Sequence, residues 1–518
     1  MNTNKIDKDK FVFASNTEKI MDQKLDTKSR SYLQDALFRF TRNKASIVAS
    51  IIIAILVLFS LVIPVVSPYS VSFSDDVYVS VLPRNQLFVD LKIPFWDGGS
   101  DSLISSDRLS YYLAINEETG LSPIMHDKYE EVEVESFSGS ISIRYDVRLD
   151  TYDSVGVQFL LLTRTEYENL QKYQDESGVQ VIYPITERTK RPTTGADSEN
   201  ANYWYETSVI GTGATLTPTL DSEGNLIDIY LPNTGGADDY TSKLRVEGEG
   251  NFEYDYALRS GSTYQVRVLY KEYFSYYYSN VQDTRINTPT FLFGTTDKGK
   301  DIFTCLATGA RFSLMLGVIV AVVNFCIGIV YGAIQGYYGG KRDLLMSRIC
   351  EIVGSIPMMI VITLLKFHFE SVNVVLLLLL SFFITGWMGI AGITRMQFYR
   401  FKNQEYILAA RTLGASDKRI MIKHIFPNAI GTLITSSVLT IPGVIFAETS
   451  LSYLGIINLD SKDRTSVGTL LAGAQGFLST YPHMMIFPAL VICLLMLSFN
   501  LFGNGLRDAF NPSLRGTE

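Results

Sequence analysis

Cysteine and histidine are scarce, with four of each in 518 residues. Cys305, Cys326, Cys350 and Cys493 all fall in or beside apolar segments and show neither zinc-ligand nor redox spacing. Residues 67–304 contain no cysteine, so whatever folds there must stand without disulfides. The thiols themselves are expected to be small buried apolar side chains. Charged residues make up only 19% of the chain, and the net charge is -8. That balance leaves no basic surplus for a phosphate backbone, so no nucleic-acid partner is expected. No GxxxxGK[ST] loop occurs, so the chain does not bind ATP in the P-loop manner. No metal or cofactor site is read from the sequence.

Long apolar runs are absent too, for well over two hundred residues in the first half of the chain. The mean hydropathy of +0.14 agrees with a chain that is only partly membrane-embedded. Where apolar runs do occur they are long. Residues 45–66 can cross about 30 Å of hydrocarbon. Arg39, Arg42 and Lys44 precede them, and no small-x-small cleavage site follows, so a retained anchor is expected rather than a signal peptide. Five further runs lie at 313–336, 344–367, 372–393, 430–446 and 484–502, giving six spans.

Basic residues set the orientation. About ten Lys and Arg stand in the N-terminal tail, and Arg395, Arg400, Lys402, Arg411, Lys418, Arg419 and Lys423 lie between spans four and five. Six spans put both segments on one side, which is then cytoplasmic, as are both termini. The polar region between spans one and two holds about twenty basic and about thirty-seven acidic residues, and faces outward. The expected organisation is a cytoplasmic tail (1–44), a first transmembrane helix (45–66), an extracytoplasmic inserted domain (67–290) and a five-helix membrane domain (291–518). The last of these carries a cytoplasmic loop at 395–428.

Within the spans, Gly328, Gly332 and Gly336 recur every four residues and form a smooth stripe for close helix approach. Pro357, Pro442 and Pro488 remove backbone donors and permit bends. Glu351 and Glu448 are expected at an interface or in helix pairing, since a carboxylate at mid-bilayer costs about 2.5–3.5 kcal/mol.

The outer region alternates apolar and polar residues over 130–150, in VGVQFLLL and in TYQVRVLYKEYF, which predicts strands. TEYENLQKYQDES reads as a short helix, and GTG, SEGN and NTGG as turns. A β-rich or α+β domain of about 200 residues follows, large enough for its own core. The tyrosine run YKEYFSYYYSN is expected to alternate between that core and a solvated sheet face.

The loop at 395–428 reads RMQFYRFKNQEYILAARTLGASDKRIMIKHIFPN. A helix is predicted over 404–413 with Gly414 ending it. A second begins at Ser416 or Asp417 and runs to Pro427. Ala409 and Ala410 leave the first helix without bulk, so a partner surface can close over its backbone. On composition alone, the plainer reading is an amphipathic loop lying on anionic lipid.

The stretch EYILAARTLGASDKRIMIKHIFPN resembles the EAA motif of ABC-importer permeases, the coupling helix that seats in a groove of the ATPase. FRFTRNKASIVAS, FLFGTTDKGKDIFTCLATGARFSLMLG, GYYGGKRDLLMSRICEIVGSIP, AETSLSYLG and FNLFGNGLRDAFNPSLR are similar, in order, to segments of the oligopeptide/dipeptide/nickel branch, and within it to the C-type subunit. The motif's Glu is Leu408 here, with Glu405 one turn earlier; Thr296 and Lys300 replace a usual Asp and Arg. The family's link between spans one and two is normally short. The resemblance implies a six-helix polytopic membrane protein with the type I ABC importer permease fold, carrying an inserted outer domain. It implies ATPase coupling through Glu405, Ala409, Ala410, Gly414, Ala415, Asp417 and Pro427. Implied partners are a second permease subunit, one or two cytoplasmic ATPases holding ATP and Mg, an extracytoplasmic binding protein, a peptide substrate and membrane lipid. The alternatives are a nickel or other small-solute permease, or a membrane-anchored adhesion or sensor protein. Five spans beyond the anchor go unexplained on the last.

Overall fold

The computed structural model describes residues 32–91, 93, 96–135, 141–191, 200–210, 215–231, 241–242, 252 and 256–510. Among the described residues, five helices are long and apolar enough to cross a membrane: span 1 (Lys44–Val66), span 2 (Ile302–Tyr338), span 4 (Val374–Phe401), span 5 (Asp417–Tyr453) and span 6 (His483–Ala509). A bent pair, Gly340–Gly354 and Met358–His368, counts as span 3. The sequence suggests one continuous third helix. Instead the pair turns by 70°, because Pro357 cannot continue a helix and caps the second piece. Span 4 runs well past residue 393 and is interrupted at Gly386 and Trp387.

Spans 1, 2, 5 and 6 share one apolar cluster through Leu56, Leu306, Leu314, Ile445, Leu495 and Phe499. Glu448 is fully buried between spans 2 and 5, where its carboxylate accepts hydrogen bonds from Ser313 (2.9 Å) and Ser452 (3.1 Å). Two hydroxyl donors satisfy it, so its role is helix pairing. Glu351 is exposed and pairs with Arg348. Cys305 is buried, but Cys326 and Cys493 are exposed on the faces of their spans, contrary to expectation. Lipid tails are as apolar as a protein core, so a thiol costs little there.

The described residues between spans 1 and 2 form three antiparallel sheets. In the first, β1 (Gly99–Ile104) and β2 (Ile124–Glu135) flank β3 (Ile141–Asp150). The second is built around the edge-to-centre path of β4 (Val157–Leu162), β10 (Thr263–Leu269), β9 (Ala257–Ser260) and β8 (Thr241–Ser242), with β5 (Ile182–Tyr183) also pairing β10. The third is a ribbon of β6 (Thr207–Ile210) and β7 (Thr215–Pro218). The helix predicted at TEYENLQKYQDES is Arg164–Ser177, opened by a capping box of Thr163 and Glu166 and closed by left-handed Gly178. The SEGN turn lies among the described residues; GTG and NTGG lie outside them.

The tyrosine run departs from the sheet reading. The strand stops at Leu269, and Tyr270–Tyr276 is helical, followed by wide π-type turns to Val281. Tyr270 and Phe274 are buried with Tyr78, Tyr152 and Phe291, in a cluster joining the two ends of the inserted region. Dense aromatic burial, about 1.5–3 kcal/mol per large side chain, overrides alternation here. A second core surrounds Arg267, which is fully buried with its guanidinium 3.7 Å from the Trp204 ring centroid. It donates to the carbonyls of Ala201 and Pro184, both at 2.8 Å. Burial pulls its pKa down to about 9.

Candidate functional site

The loop joining spans 4 and 5 forms an elbow. Its first arm is the helix Glu405–Thr412, with Gln404 at the N-cap and Leu413 at the C-cap. Gly414 follows with φ +81°, a left-handed conformation that favours glycine, and a side chain there would meet open space. Any substitution is therefore strained by backbone geometry and not by crowding. Ser416 caps the second arm, and its Oγ accepts the Arg419 N–H at 3.4 Å.

The second arm differs from expectation. Asp417–Arg419 runs through π-type turns at Ile420–Ile425 directly into Phe426–Tyr453, so Pro427 ends nothing. It occupies the first turn of the long helix. The wider turn before it disposes of the backbone donor that proline lacks. A push on the elbow thus acts on span 5 without an intervening joint.

Ile407, Ile420 and Ile425 are fully buried against Ala333, Tyr337 and Phe398, seating both arms on the ends of spans 2 and 4. Polar links reinforce the seat. The Tyr337 hydroxyl donates to Asp417 Oδ1 at 2.6 Å and accepts from Arg411 Nη2 at 3.3 Å. Lys402 Nζ donates to the Gly336 carbonyl at 3.0 Å. Arg395 makes a two-pronged pair with Asp343, at 2.6 and 2.7 Å, tying span 4 to the start of span 3. Gly328, Gly332 and Gly336 lie along span 2 against span 4: a Cβ on Gly328 would meet Ile390 at 2.7 Å, and one on Gly332 would meet the Ala391 carbonyl. Backbone contact of this closeness couples the two helices as one unit.

The outer surface of the elbow is the reverse of its seat. Glu405, Ala409, Gly414, Asp417 and Pro427 are exposed, and Ala410 and Ala415 are half-buried. Leu413 is 88% exposed at the tip, with Leu408 exposed one turn back. Apolar side chains projecting from a basic polar loop mark a contact surface. Nothing in the sequence marks Leu413 or Tyr337 as part of this site. Leucine in a helix-forming stretch carries no signal of exposure, and the partner of Tyr337 lies eighty positions away.

Beside the elbow a cleft opens between spans 4, 5 and 6, lined among others by Gln397, Arg400, Thr432, Thr435, Ser436 and Arg507. Polar side chains on otherwise apolar spans face bundle interiors or water-filled paths.

A bundle of this composition, with an elbow seated beneath it, defines the chain as a multi-pass membrane protein. Residues 328–516 match the family described as binding-protein-dependent transport system inner membrane component, and residues 31–85 match the N-terminal TM domain of oligopeptide transport permease C. The chain is similar to the oligopeptide transport system permease protein OppC of Bacillus subtilis (strain 168), 41% identical over 223 residues, covering 43% of this chain and 72% of the relative. The dipeptide transport system permease protein DppC of the same organism is 40% identical over 223 residues, covering 43% of this chain and 69% of the relative. OppC of Escherichia coli (strain K12) is 36% identical, covering 43% and 72%. Among solved structures, an inward-facing MetNI methionine ABC transporter aligns with TM-score 0.32 at 15% identity, covering 40% of this chain and 96% of that chain. The chain belongs to the oligopeptide/dipeptide ABC-importer permease family, as a C-type subunit.

Proposed function

We propose that this chain forms half of a peptide pathway and converts closure of cytoplasmic ATPases into movement of spans 2, 4 and 5. The observation that carries this reading is the elbow: exposed and apolar outward, and bonded inward to span 2 through Tyr337. Glu405, Ala409, Ala410, Gly414, Ala415 and Asp417 form or frame the surface an ATPase groove would cover. Pro427 lies at the base of span 5, on the load path and not in the contact. ATP and Mg are held by the partner ATPases, so hydrolysis belongs to them. Coupling is then a difference in contacts between inward- and outward-facing states.

The second permease subunit completes the pathway, and the cleft lined by Thr432, Ser436 and Arg507 is its inner portion on this side. Peptides are the substrate by kinship with the oligopeptide and dipeptide permeases. The termini and elbow are cytoplasmic; the sheet-bearing insertion faces outward and docks an extracytoplasmic binding protein. Purification of the detergent-solubilised protein followed by identification of bound subunits tests this directly. A second permease and ABC ATPases are expected; a chain that brings down neither is only an anchor. Deleting residues 75–285 is expected to weaken binding-protein affinity, and unchanged affinity contradicts the docking role.

A further inference from the structure

The inserted domain touches the bundle at more than its two chain ends. The segment that begins at Asn85, of which the structure describes residues 85–91, 93 and 96, is pinched where the Asn85 N–H donates to the Trp96 carbonyl at 2.7 Å, beside an Arg84–Asp97 bridge. Within it, Gln86–Asp90 is one helical turn with two unlike faces. Gln86 Nε2 donates to Asp90 Oδ1 at 2.9 Å on one face. Leu87 and Leu91, again four apart, stand 59% and 61% exposed on another, and Ile93 is exposed beyond them. Three unsheltered aliphatic side chains in one short loop of a polar domain have no structural use in water.

The base of the loop fixes its position. The Trp96 ring stacks on Phe487 with centroids 5.5 Å apart and lies 5.8 Å from Phe293, while its indole N–H donates to the Leu292 carbonyl. Phe293 in turn stacks on Phe487 at 4.1 Å and meets Phe303, which meets Phe59 of span 1. Phe487 lies about one turn inside the start of span 6. Its neighbours Ile486 and Leu490 are exposed on the same helix. The loop therefore continues an exposed apolar surface of the bundle at the end of span 6, and tryptophan and other aromatics gather at the membrane boundary where spans end.

We propose that Leu87, Leu91 and Ile93 form a membrane-seated wedge: they enter the headgroup region of the leaflet on the domain's side, with Trp96 at the boundary. The inserted domain is then held at a fixed attitude over the bilayer instead of swinging from its two connections. Interfacial elements of this type bury their apolar face about 5–10 Å into the headgroup and acyl boundary. The inference rests on the bundle spanning a membrane and not on the coupling account.

The test uses the full chain in phospholipid nanodiscs, with its natural cysteines replaced by alanine and single cysteines introduced as L87C, L91C and I93C for a bimane label. L161C, exposed on β4, is the aqueous control. Lipid-borne nitroxide is expected to quench the three loop labels several-fold more than the control, and dissolved iodide to quench them less. Iodide quenching equal to that of the control overturns the proposal, and so does shielding from both quenchers, which would assign the face to a protein partner. The three labels sit on exposed side chains, so loss of folding at one leaves two independent readings.

Discussion

Tyr337, at the end of span 2, and Asp417, at the start of the second arm of the elbow, share a hydrogen bond of 2.6 Å across eighty residues of chain. Arg411 donates to the same hydroxyl from the first arm, so a single phenol ties both arms to one transmembrane helix. Buried Ile407 and Ile420 provide the contact area of this seat, and the phenol provides its direction.

Removing only the hydroxyl separates these contributions. Tyr337→Phe keeps the ring among Ala333 and Phe398 but loses both polar links. A hydrogen bond to a charged group contributes about 1.5–3 kcal/mol, less here because Asp417 is exposed. Assembly in the membrane is expected to be unchanged, with uptake per ATP hydrolysed falling several-fold. The ratio of transport to hydrolysis in proteoliposomes measures it.

Gly414→Val forces a β-branched residue into a left-handed conformation, at a cost of about 1–3 kcal/mol. The elbow is expected to change its angle while the spans stay packed, because nothing lies within 4 Å of the position of the new Cβ. ATP hydrolysis without uptake is the predicted phenotype, and normal uptake contradicts the role of this glycine.

Gly332→Leu acts by a different route. Its Cβ would meet the Ala391 carbonyl and Thr394, so spans 2 and 4 must separate. Loss of assembled protein is expected, seen as a reduced monodisperse peak in detergent. A substitution at Gly414 is not expected to cause this, which distinguishes packing from coupling.

Arg267→Met leaves the carbonyls of Ala201 and Pro184 without their donor, and each orphaned group costs about 1–3 kcal/mol. The inserted domain is expected to become sensitive to added protease while the spans remain protected. Limited proteolysis read with antibodies to either part measures this.

The sequence states the membrane part more plainly than the outer part. Apolar length alone locates the spans, since about 20 residues are needed to cross. The bend at Pro357 is hidden inside an apolar run, where a proline can kink, cap or break a helix. The elbow's first arm and its glycine are legible because propensity and a left-handed C-cap agree. Its second arm is less so: π-type turns have no compositional mark, and they alone let the helix pass through Pro427. The run YKEYFSYYYSN suits a strand by propensity but is helical, because Tyr270 and Phe274, one turn apart, fill a core that spans both ends of the insertion. Long-range partners such as Asp417 for Tyr337 and Ser313 for Glu448 are products of the fold, with no local signal.

On the proposed function, this elbow receives force from a separate ATPase. A photo-crosslinker placed at Ala409 or Leu413 in the assembled complex tests it most directly. The account predicts adducts with an ABC ATPase subunit whose yield changes between nucleotide-free and ATP-bound states. Adducts with lipid alone, under both conditions, would contradict it.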